Sequence, residues 1–233
     1  DVKISIETNR TTFEGLKKKF IKEAKRLQAF HSPNIIRVYD CFEENGTAYY
    51  SMDYIPGDSL ASVLKQKPRL SESYIRTLLP GLLSALSIVH NEKIWHLDIK
   101  PANLMLRNGK SLVLIDFGAS KQYEDKEGKT LTSSSAMAYT SGFAPPEQIS
   151  NNMKNIGAWT DIFALGATLF NLLTGSKPPQ TDEIISEGLP LFPSDVSDEM
   201  VKAVTAMMQP NRNARPQSIN EVARLLSISI YEQ

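Results

Sequence analysis

Six stretches of the chain carry the apolar pattern of helices. The longest begins after Ser71, a residue suited to capping a helix start, and runs to Asn91. Pro80 falls inside it, and we expect the helix to kink there. Thr11 or Thr12 is the expected cap of the first helix. The predicted helices cover residues 13–27, 60–66, 71–91, 159–173, 196–208 and 218–228.

Shorter apolar runs bounded by turn residues predict strands. The sequence Asn108-Gly109 is a strong hairpin signal because both residues tolerate positive φ. Residues 1–7 alternate apolar and polar side chains, and we expect a frayed strand or an ordered arm there. The two predicted hairpins join residues 35–42 to 47–54 and residues 104–107 to 112–115.

Three polar residues gather at the open end of the second predicted hairpin. Asn103 precedes its first strand, Asp116 follows its second, and Asp98 lies on the loop that leads in. Amide and carboxylate oxygens suit Mg²⁺, which takes few protein ligands and completes its shell with phosphates and water. A further carboxylate could orient an attacking hydroxyl. The pattern therefore predicts metal-assisted phosphoryl transfer.

Two motifs in this region resemble those of protein kinases. Residues 96–103, HLDIKPAN, resemble the kinase catalytic loop, and residues 116–118, DFG, resemble its metal-binding motif. Asn103 and Asp116 follow Asp98 by 5 and 18 residues (103 − 98 and 116 − 98), the spacings of that family. The resemblance implies an α+β fold with two lobes: a partial N-lobe over residues 1–55 and a mainly helical C-lobe over residues 56–233.

The resemblance also implies roles for the residues of this loop. Asp98 would accept the proton of the substrate hydroxyl, and Lys100 would offset charge at the γ-phosphate of ATP. Asn103 and Asp116 would hold Mg²⁺. Lysine at position 100, followed by Pro101, resembles serine/threonine rather than tyrosine kinases, and residues 142–148 look like bacterial kinases of this type.

A second set of residues is implied to face the nucleotide. Glu23 would pair with a lysine of an upstream strand, or it is an ordinary surface residue of its helix. Met52 would stand beside the adenine, and the backbones of Asp53 and Ile55 would bind the base. Asp58 or Ser59 would contact the ribose, or would cap the helix at 60–66. The implied nucleotide-contacting set is Glu23, Met52, Asp53, Ile55, Ser59 and Met105.

A docking segment for protein substrates is implied by residues 140–147, TSGFAPPE. Thr140 would lie near Asp98 and Lys100. Asp161 would anchor the catalytic loop, and Arg215 would pair with Glu147, where the alternative for each is an ordinary cap or surface charge. His90 is expected to be a packing or helix-end residue. Residues 130–135, TLTSSS, either carry regulatory phosphates or form a flexible loop.

Two departures from the family pattern change the expectation. Leu97 replaces the arginine that pairs with a loop phosphate, which argues against activation by phosphorylation. No Gly-rich loop or strand lysine precedes Glu23, since Lys3 lies in a poor context. We therefore expect a kinase domain lacking its first strands, with weak or absent ATP binding and little activity of its own.

Bulk properties narrow the remaining alternatives only slightly. The 26 basic and 26 acidic residues cancel, so nothing argues for a nucleic acid or an anionic membrane as partner. No stretch is long and apolar enough for a membrane segment. The single cysteine, Cys41, suits a reducing, cytoplasmic compartment. The expected partners are ATP and a protein substrate, and the alternatives are a pseudokinase or scaffold module and a small-molecule kinase.

Overall fold

The computed structural model describes residues 2–118, 121–122, 139–150 and 153–230. The chain divides into two compact units, residues 1–54 and residues 55–233. Their assignment as a partial N-lobe and a C-lobe stays a prediction. No helix among the described residues is long and apolar enough to cross a membrane.

The first unit consists of one long helix and one hairpin. Helix α1 is Val2–Leu27, and strands β1 (Val38–Glu44) and β2 (Thr47–Met52) pair in antiparallel register. The expected strand or arm at residues 1–7 is wrong, as is the cap at Thr11 or Thr12. No glycine or proline interrupts the chain before Gly15, so the helix extends back through the short apolar alternation.

Helix α1 packs one face against the hairpin. Ala24 and Leu27 are buried, and the ring of Phe20 lies 4.8 Å from that of Tyr50 on β2. Lys17 forms an ion pair of 3.0 Å with Glu43 on β1. The contacts fix the apolar stripe of the helix onto the sheet.

The second unit is mainly helical. Helix α3 follows its predicted cap, since Ser71 Oγ accepts from the Tyr74 amide at 3.3 Å, and it runs through Pro80 as one helix. The described helices are α2 (Leu60–Gln66), α3 (Glu72–Asn91), α4 (Pro146–Ile149), α5 (Ala158–Thr174), α6 (Thr181–Glu187), α7 (Asp198–Met207) and α8 (Ile219–Leu225), with short 3₁₀ turns at Pro101–Asn103, Met153–Asn155 and Arg212–Ala214.

Helix α5 forms the core of this unit. Fourteen of its residues are buried, which is typical of a helix surrounded by others. It ends at Gly175, whose φ of 75° closes the helix in the left-handed conformation. A Cβ at this glycine would lie 1.9 Å from the carbonyl oxygen of Pro68, so the close approach requires glycine.

A second hairpin positions the candidate site. Strands β4 (Leu104–Arg107) and β5 (Ser111–Leu114) pair antiparallel, and the turn residues Asn108 and Gly109 have φ of 52° and 68°. The predicted hairpin is therefore confirmed. Strand β3 (Ile94–Trp95) precedes it and pairs with β6 (Lys121–Gln122).

Candidate active site

Asp98 lies at the centre of a hydrogen-bonded cluster. Its Oδ1 accepts from the Thr140 hydroxyl at 3.0 Å, and its Oδ2 accepts from Lys100 Nζ at 2.7 Å and from Asn103 Nδ2 at 2.8 Å. An ionised carboxylate offers about four acceptor positions. Contacts with these described residues use three of them, which leaves one position on Oδ1 for a further proton donor.

Lys100 links Asp98 to Thr140. Its ammonium group donates to Asp98 Oδ2 and, at 3.0 Å, to Thr140 Oγ1. Because the Thr140 oxygen accepts from Lys100, its own proton is directed at Asp98. An ammonium group carries three N–H donors, so these contacts leave one for an anionic group. The predicted place of Thr140 is confirmed.

Asn103 and Asp116 lie at the open end of the β4–β5 hairpin. The Ile115 amide donates to the Asn103 carbonyl at 3.1 Å, which joins the two sides of that end. Asn103 uses its amide nitrogen on Asp98, so its amide oxygen is left as an acceptor, and the Asp116 side chain is exposed.

These two oxygens fit Mg²⁺ chemically, because it binds hard oxygen ligands and needs few from the protein. Within the described ranges, no group of three or more His, Cys, Asp or Glu could hold a metal ion. An ion bound by this pair would complete its shell with other oxygen ligands, such as phosphate oxygens and water.

Asp161 anchors the backbone that leads into Asp98. Its buried Oδ2 accepts from the His96 amide, its Oδ1 accepts from the Leu97 amide, and His90 Nε2 also donates to Oδ2, each at 2.8 Å. Burial alone would raise the pKa of this carboxyl, but hydrogen bonds, first that of His90, hold the pKa below its usual range. The predicted anchoring role of Asp161 is confirmed.

His96 ties the catalytic loop to the strand end before Asp116. Its ring is fully buried and lies edge-on to Phe117 at 4.7 Å. Nε2 donates to the Ile115 carbonyl at 3.1 Å, and Nδ1 accepts from the Asp98 amide at 3.3 Å. Burial lowers the pKa of His96, so the ring is held neutral in this tautomer.

Leu97 occupies a strained position between these anchors. Its φ of 65° is left-handed, which costs a non-glycine residue about 1–3 kcal/mol. Asp161 holds its amide, and Gln148 Nε2 donates to its carbonyl at 2.7 Å. The side chain is buried and apolar, so the loop carries no cation at this point.

The docking segment is held by a buried ion pair. Arg215 donates to both oxygens of Glu147, at 2.7 and 3.2 Å, and Thr160 donates to Glu147 Oε1 at 3.1 Å. The guanidinium lies 4.9 Å over the ring of Phe163. Burial lowers the pKa of Arg215, while the charge of Glu147 opposes that shift. The predicted pairing is confirmed.

Three of the predicted nucleotide contacts lie in the first unit. Glu23 is half-buried on α1, and Met52 ends β2 with an exposed side chain. The Asp53 amide donates to the Arg37 carbonyl at 2.9 Å, and its carboxylate accepts from the Tyr39 hydroxyl. None of these observations bears on a nucleotide, so the three contacts stay predictions.

The other three lie in the second unit. Ile55 is buried, and Met105 lies in β4 opposite Ser59. Ser59 caps α2, because its hydroxyl accepts from the Ser62 amide at 3.2 Å. The capping alternative is therefore observed, while the ribose contact stays a prediction, as do those of Ile55 and Met105.

The sequence did not identify Gln148 as a residue of the site, and it predicted only a packing or helix-end role for His90. Gln148 directly follows Glu147, the last residue of the docking segment, and this adjacency was the available signal. His90 lies in the last turn of α3, as expected, but it also donates to Asp161. Residues 130–135, expected either to carry regulatory phosphates or to form a flexible loop, lie outside the described residues.

A surface cavity of about 370 Å³ lies elsewhere in the second unit. Residues of α7, α8 and the segment between them line it. The lining includes Arg215 but none of the residues around Asp98, so this cavity is separate from the candidate active site.

The described side chains bring together a carboxylate with an open acceptor position, an adjacent ammonium group and two hard oxygens, which suits phosphoryl transfer. The sequence matches the family model of the protein kinase domain over residues 2–225. The chain belongs to the protein kinase family.

Three relatives of the chain are named as serine/threonine-protein kinases, which agrees with this family. The chain is 33% identical over 229 residues to serine/threonine-protein kinase B of Synechocystis sp., covering 94% of this chain and 39% of that protein. It is 35% identical over 195 residues to serine/threonine-protein kinase PknA of Nostoc sp., covering 77% and 33%. It is 30% identical over 196 residues to serine/threonine-protein kinase PknF of Mycobacterium tuberculosis, covering 78% and 39%.

The chain thus spans between a third and two fifths of the length of these relatives. The matches confirm the resemblance to bacterial-type serine/threonine kinase domains and the predicted kinase-like α+β fold class.

Proposed function

We propose that this chain is the catalytic domain of a serine/threonine protein kinase, which transfers the γ-phosphate of ATP to a protein hydroxyl. The observation that carries the proposal is the cluster of Asp98, Lys100, Asn103 and Thr140. It combines an open carboxylate position with a cation a few ångströms away. The names of the relatives support the choice of serine and threonine as acceptors.

Asp98 acts on the acceptor hydroxyl in this proposal. Thr140, Lys100 and Asn103 fix the plane of the carboxylate, so its open position on Oδ1 points in one direction. The acceptor hydroxyl donates its proton there while its oxygen bonds to phosphorus and the bond from phosphorus to the ADP oxygen breaks. A positioned general base contributes about 10²- to 10⁴-fold to the rate.

Lys100 stabilises the transferring group. Two of its N–H donors hold Asp98 and Thr140, and the third donates to a phosphoryl oxygen. Because the donor is already oriented, it needs no reorganisation as charge develops. Thr140 therefore serves both partners, since it orients Asp98 and Lys100 at once.

Asn103 and Asp116 would hold Mg²⁺, which neutralises phosphate charge when bound. The nucleotide contacts of Glu23, Met52, Asp53, Ile55, Ser59 and Met105 belong to the same proposal. The docking segment, anchored through Glu147 and Arg215, supports a protein substrate. The single cysteine, Cys41, supports a cytoplasmic setting.

The proposal is tested in the full-length natural protein that carries this chain. Transfer of radiolabelled γ-phosphate to serine and threonine peptides is measured, followed by phosphoamino-acid analysis. We expect label on both hydroxyl types, and Asp98→Asn should lower kcat by about 10²- to 10⁴-fold. Asp198→Asn changes an exposed carboxylate in the first turn of α7 and is the matched control with unchanged kcat.

Two outcomes would contradict the proposal. One is a wild-type protein that transfers no phosphate, and the other is an Asp98→Asn variant that keeps the wild-type rate. Nucleotide binding without transfer would support the scaffold alternative. Labelled small molecules with unlabelled peptides would instead indicate a small-molecule kinase.

A further inference from the structure

Gln148 places a buried donor against the backbone of the catalytic loop. It lies on α4, is 2% exposed, and donates from Nε2 to the Leu97 carbonyl at 2.7 Å. Its neighbour Glu147 is fixed by Arg215 and Thr160. The amide of Gln148 is therefore presented from a firmly held segment.

The peptide group between Leu97 and Asp98 is held at both of its polar atoms. Gln148 binds its carbonyl oxygen, and His96 Nδ1 accepts from its N–H at 3.3 Å. On the other side of Leu97, Asp161 binds the preceding amide. A change in ψ of Leu97 would turn this peptide group and move the Cα of Asp98. The left-handed φ of Leu97 is strained, so the backbone would shift if these bonds did not hold it.

We infer that Gln148 is a positioning residue for Asp98, acting through the Leu97 carbonyl. The inference rests on the proposed kinase function and deepens it. Gln148 makes no described hydrogen bond to Asp98, Lys100, Asn103 or Thr140. It therefore affects the position of the Asp98 carboxylate only through the backbone. It also joins the docking segment to the catalytic loop through an uncharged bond.

The first experiment separates kcat from KM in the full-length protein. Gln148→Met removes the donor at similar volume, and we expect kcat to fall at least tenfold with the KM for ATP within twofold. Gln209→Met is the matched control, because it removes a glutamine bond of 3.2 Å to the Thr205 carbonyl away from the loop. Its kcat should stay within twofold.

A second variant restores the donor by protonation. Gln148→Glu sets a carboxylate against the Leu97 carbonyl, but its protonated form can donate to it. Burial raises the pKa of such a carboxyl, so the protonated form is reached on mild acidification. We expect kcat relative to wild type to rise at least fivefold between pH 8 and pH 6, which a purely structural role would not produce.

Hydrogen exchange gives a readout that does not need activity. Peptides covering residues 94–104 should exchange at least fivefold faster in Gln148→Met and unchanged in Gln209→Met. Unchanged exchange would overturn the inference. So would a kcat loss that disappears when variants are compared at equal distances below their Tm. A wild-type protein without transfer activity would refute the proposed function, and exchange would still decide the role of Gln148.

Discussion

Removing Arg215 should destabilise the second unit far more than removing an exposed arginine. Besides Glu147, Arg215 donates to the carbonyls of Gln209 at 2.6 Å, Pro210 at 2.9 Å and Trp159 at 3.1 Å. Its side chain is completely buried. Arg215→Met therefore leaves a buried carboxylate without its cation and three carbonyls without their donor.

The magnitude follows from these contacts. Removing one partner of a buried ion pair costs about 3–5 kcal/mol. Each part-buried carbonyl that loses its donor adds to this unless water replaces it. We expect about 4 kcal/mol for Arg215→Met and about 3 kcal/mol for Glu147→Gln. The double variant should cost less than the sum by at least about 1.5 kcal/mol, because each single change removes the same pair.

Urea unfolding followed by tryptophan fluorescence isolates the relevant unit. Trp95 and Trp159 are the two tryptophans of the chain, and both lie in the second unit. With an m-value of about 2 kcal/mol per molar, a loss of about 4 kcal/mol lowers the midpoint by about 2 M. The control is Arg69→Met, which removes a pair of 2.9 Å between the partly exposed Arg69 and the exposed Asp195 and should leave the midpoint nearly unchanged.

An Arg215→Met midpoint shift no larger than that of Arg69→Met would contradict this expectation. Additive effects of the Arg215 and Glu147 changes would contradict it too, because independent costs would mean that the two charges do not stabilise each other. Arg215→Lys adds a graded test. Lysine keeps the positive charge but lacks the planar guanidinium that binds both Glu147 oxygens. We therefore expect a midpoint between those of the wild type and Arg215→Met.

Three further predictions concern pH, backbone conformation and the cluster. Burial lowers the pKa of His96, so the unfolded state binds the His96 proton first as pH falls. At pH values under about 6.5, the free energy of unfolding should therefore decrease by up to about 1.4 kcal/mol for each pH unit of acidification. His96→Gln should flatten that slope in urea titrations between pH 5 and 8, and an equal slope would contradict it. Gly175→Ala should lower the free energy of unfolding by at least about 3 kcal/mol in urea, since it adds a clash with Pro68 to a strained φ of 75°. Gly109→Ala, at a φ of 68° with open space around it, should lower it by about 1 kcal/mol. Thr140→Val should lower kcat on the order of tenfold while Thr140→Ser stays near wild type, and equal rates would remove Thr140 from the mechanism.

Local signals in the sequence predicted most elements of the fold. Ser71 marked the start of α3, and Asn108-Gly109 marked the turn of the second hairpin, because a cap and a positive-φ turn each depend on one or two residues. The start of α1 was predicted wrongly, because three alternating apolar residues are too few to define a strand. Helix α3 continues through Pro80, with the buried residues Leu79 and Leu82 before and after it in the sequence, so this proline does not end the helix.

The contacts of the candidate site were predictable where the side chains lie close in sequence. Asp98, Lys100 and Asn103 lie within six residues, and the resemblance placed Thr140 beside them. The sequence does not indicate that the Leu97 carbonyl accepts a side-chain hydrogen bond, because every residue carries the same backbone acceptor. Its partner Gln148 is 51 residues away, so only the folded chain shows that the two meet.

The position of Asp98 therefore depends on segments far along the chain. Thr140 contacts its carboxylate, Gln148 binds the peptide group before it, and Asp161 holds the next amide upstream. Thr140 belongs to the docking segment that Arg215 anchors through Glu147, and Gln148 directly follows that segment. Loosening that ion pair should consequently disturb the carboxylate from two directions at once, so stability of the second unit and geometry of the site are set by the same buried contacts.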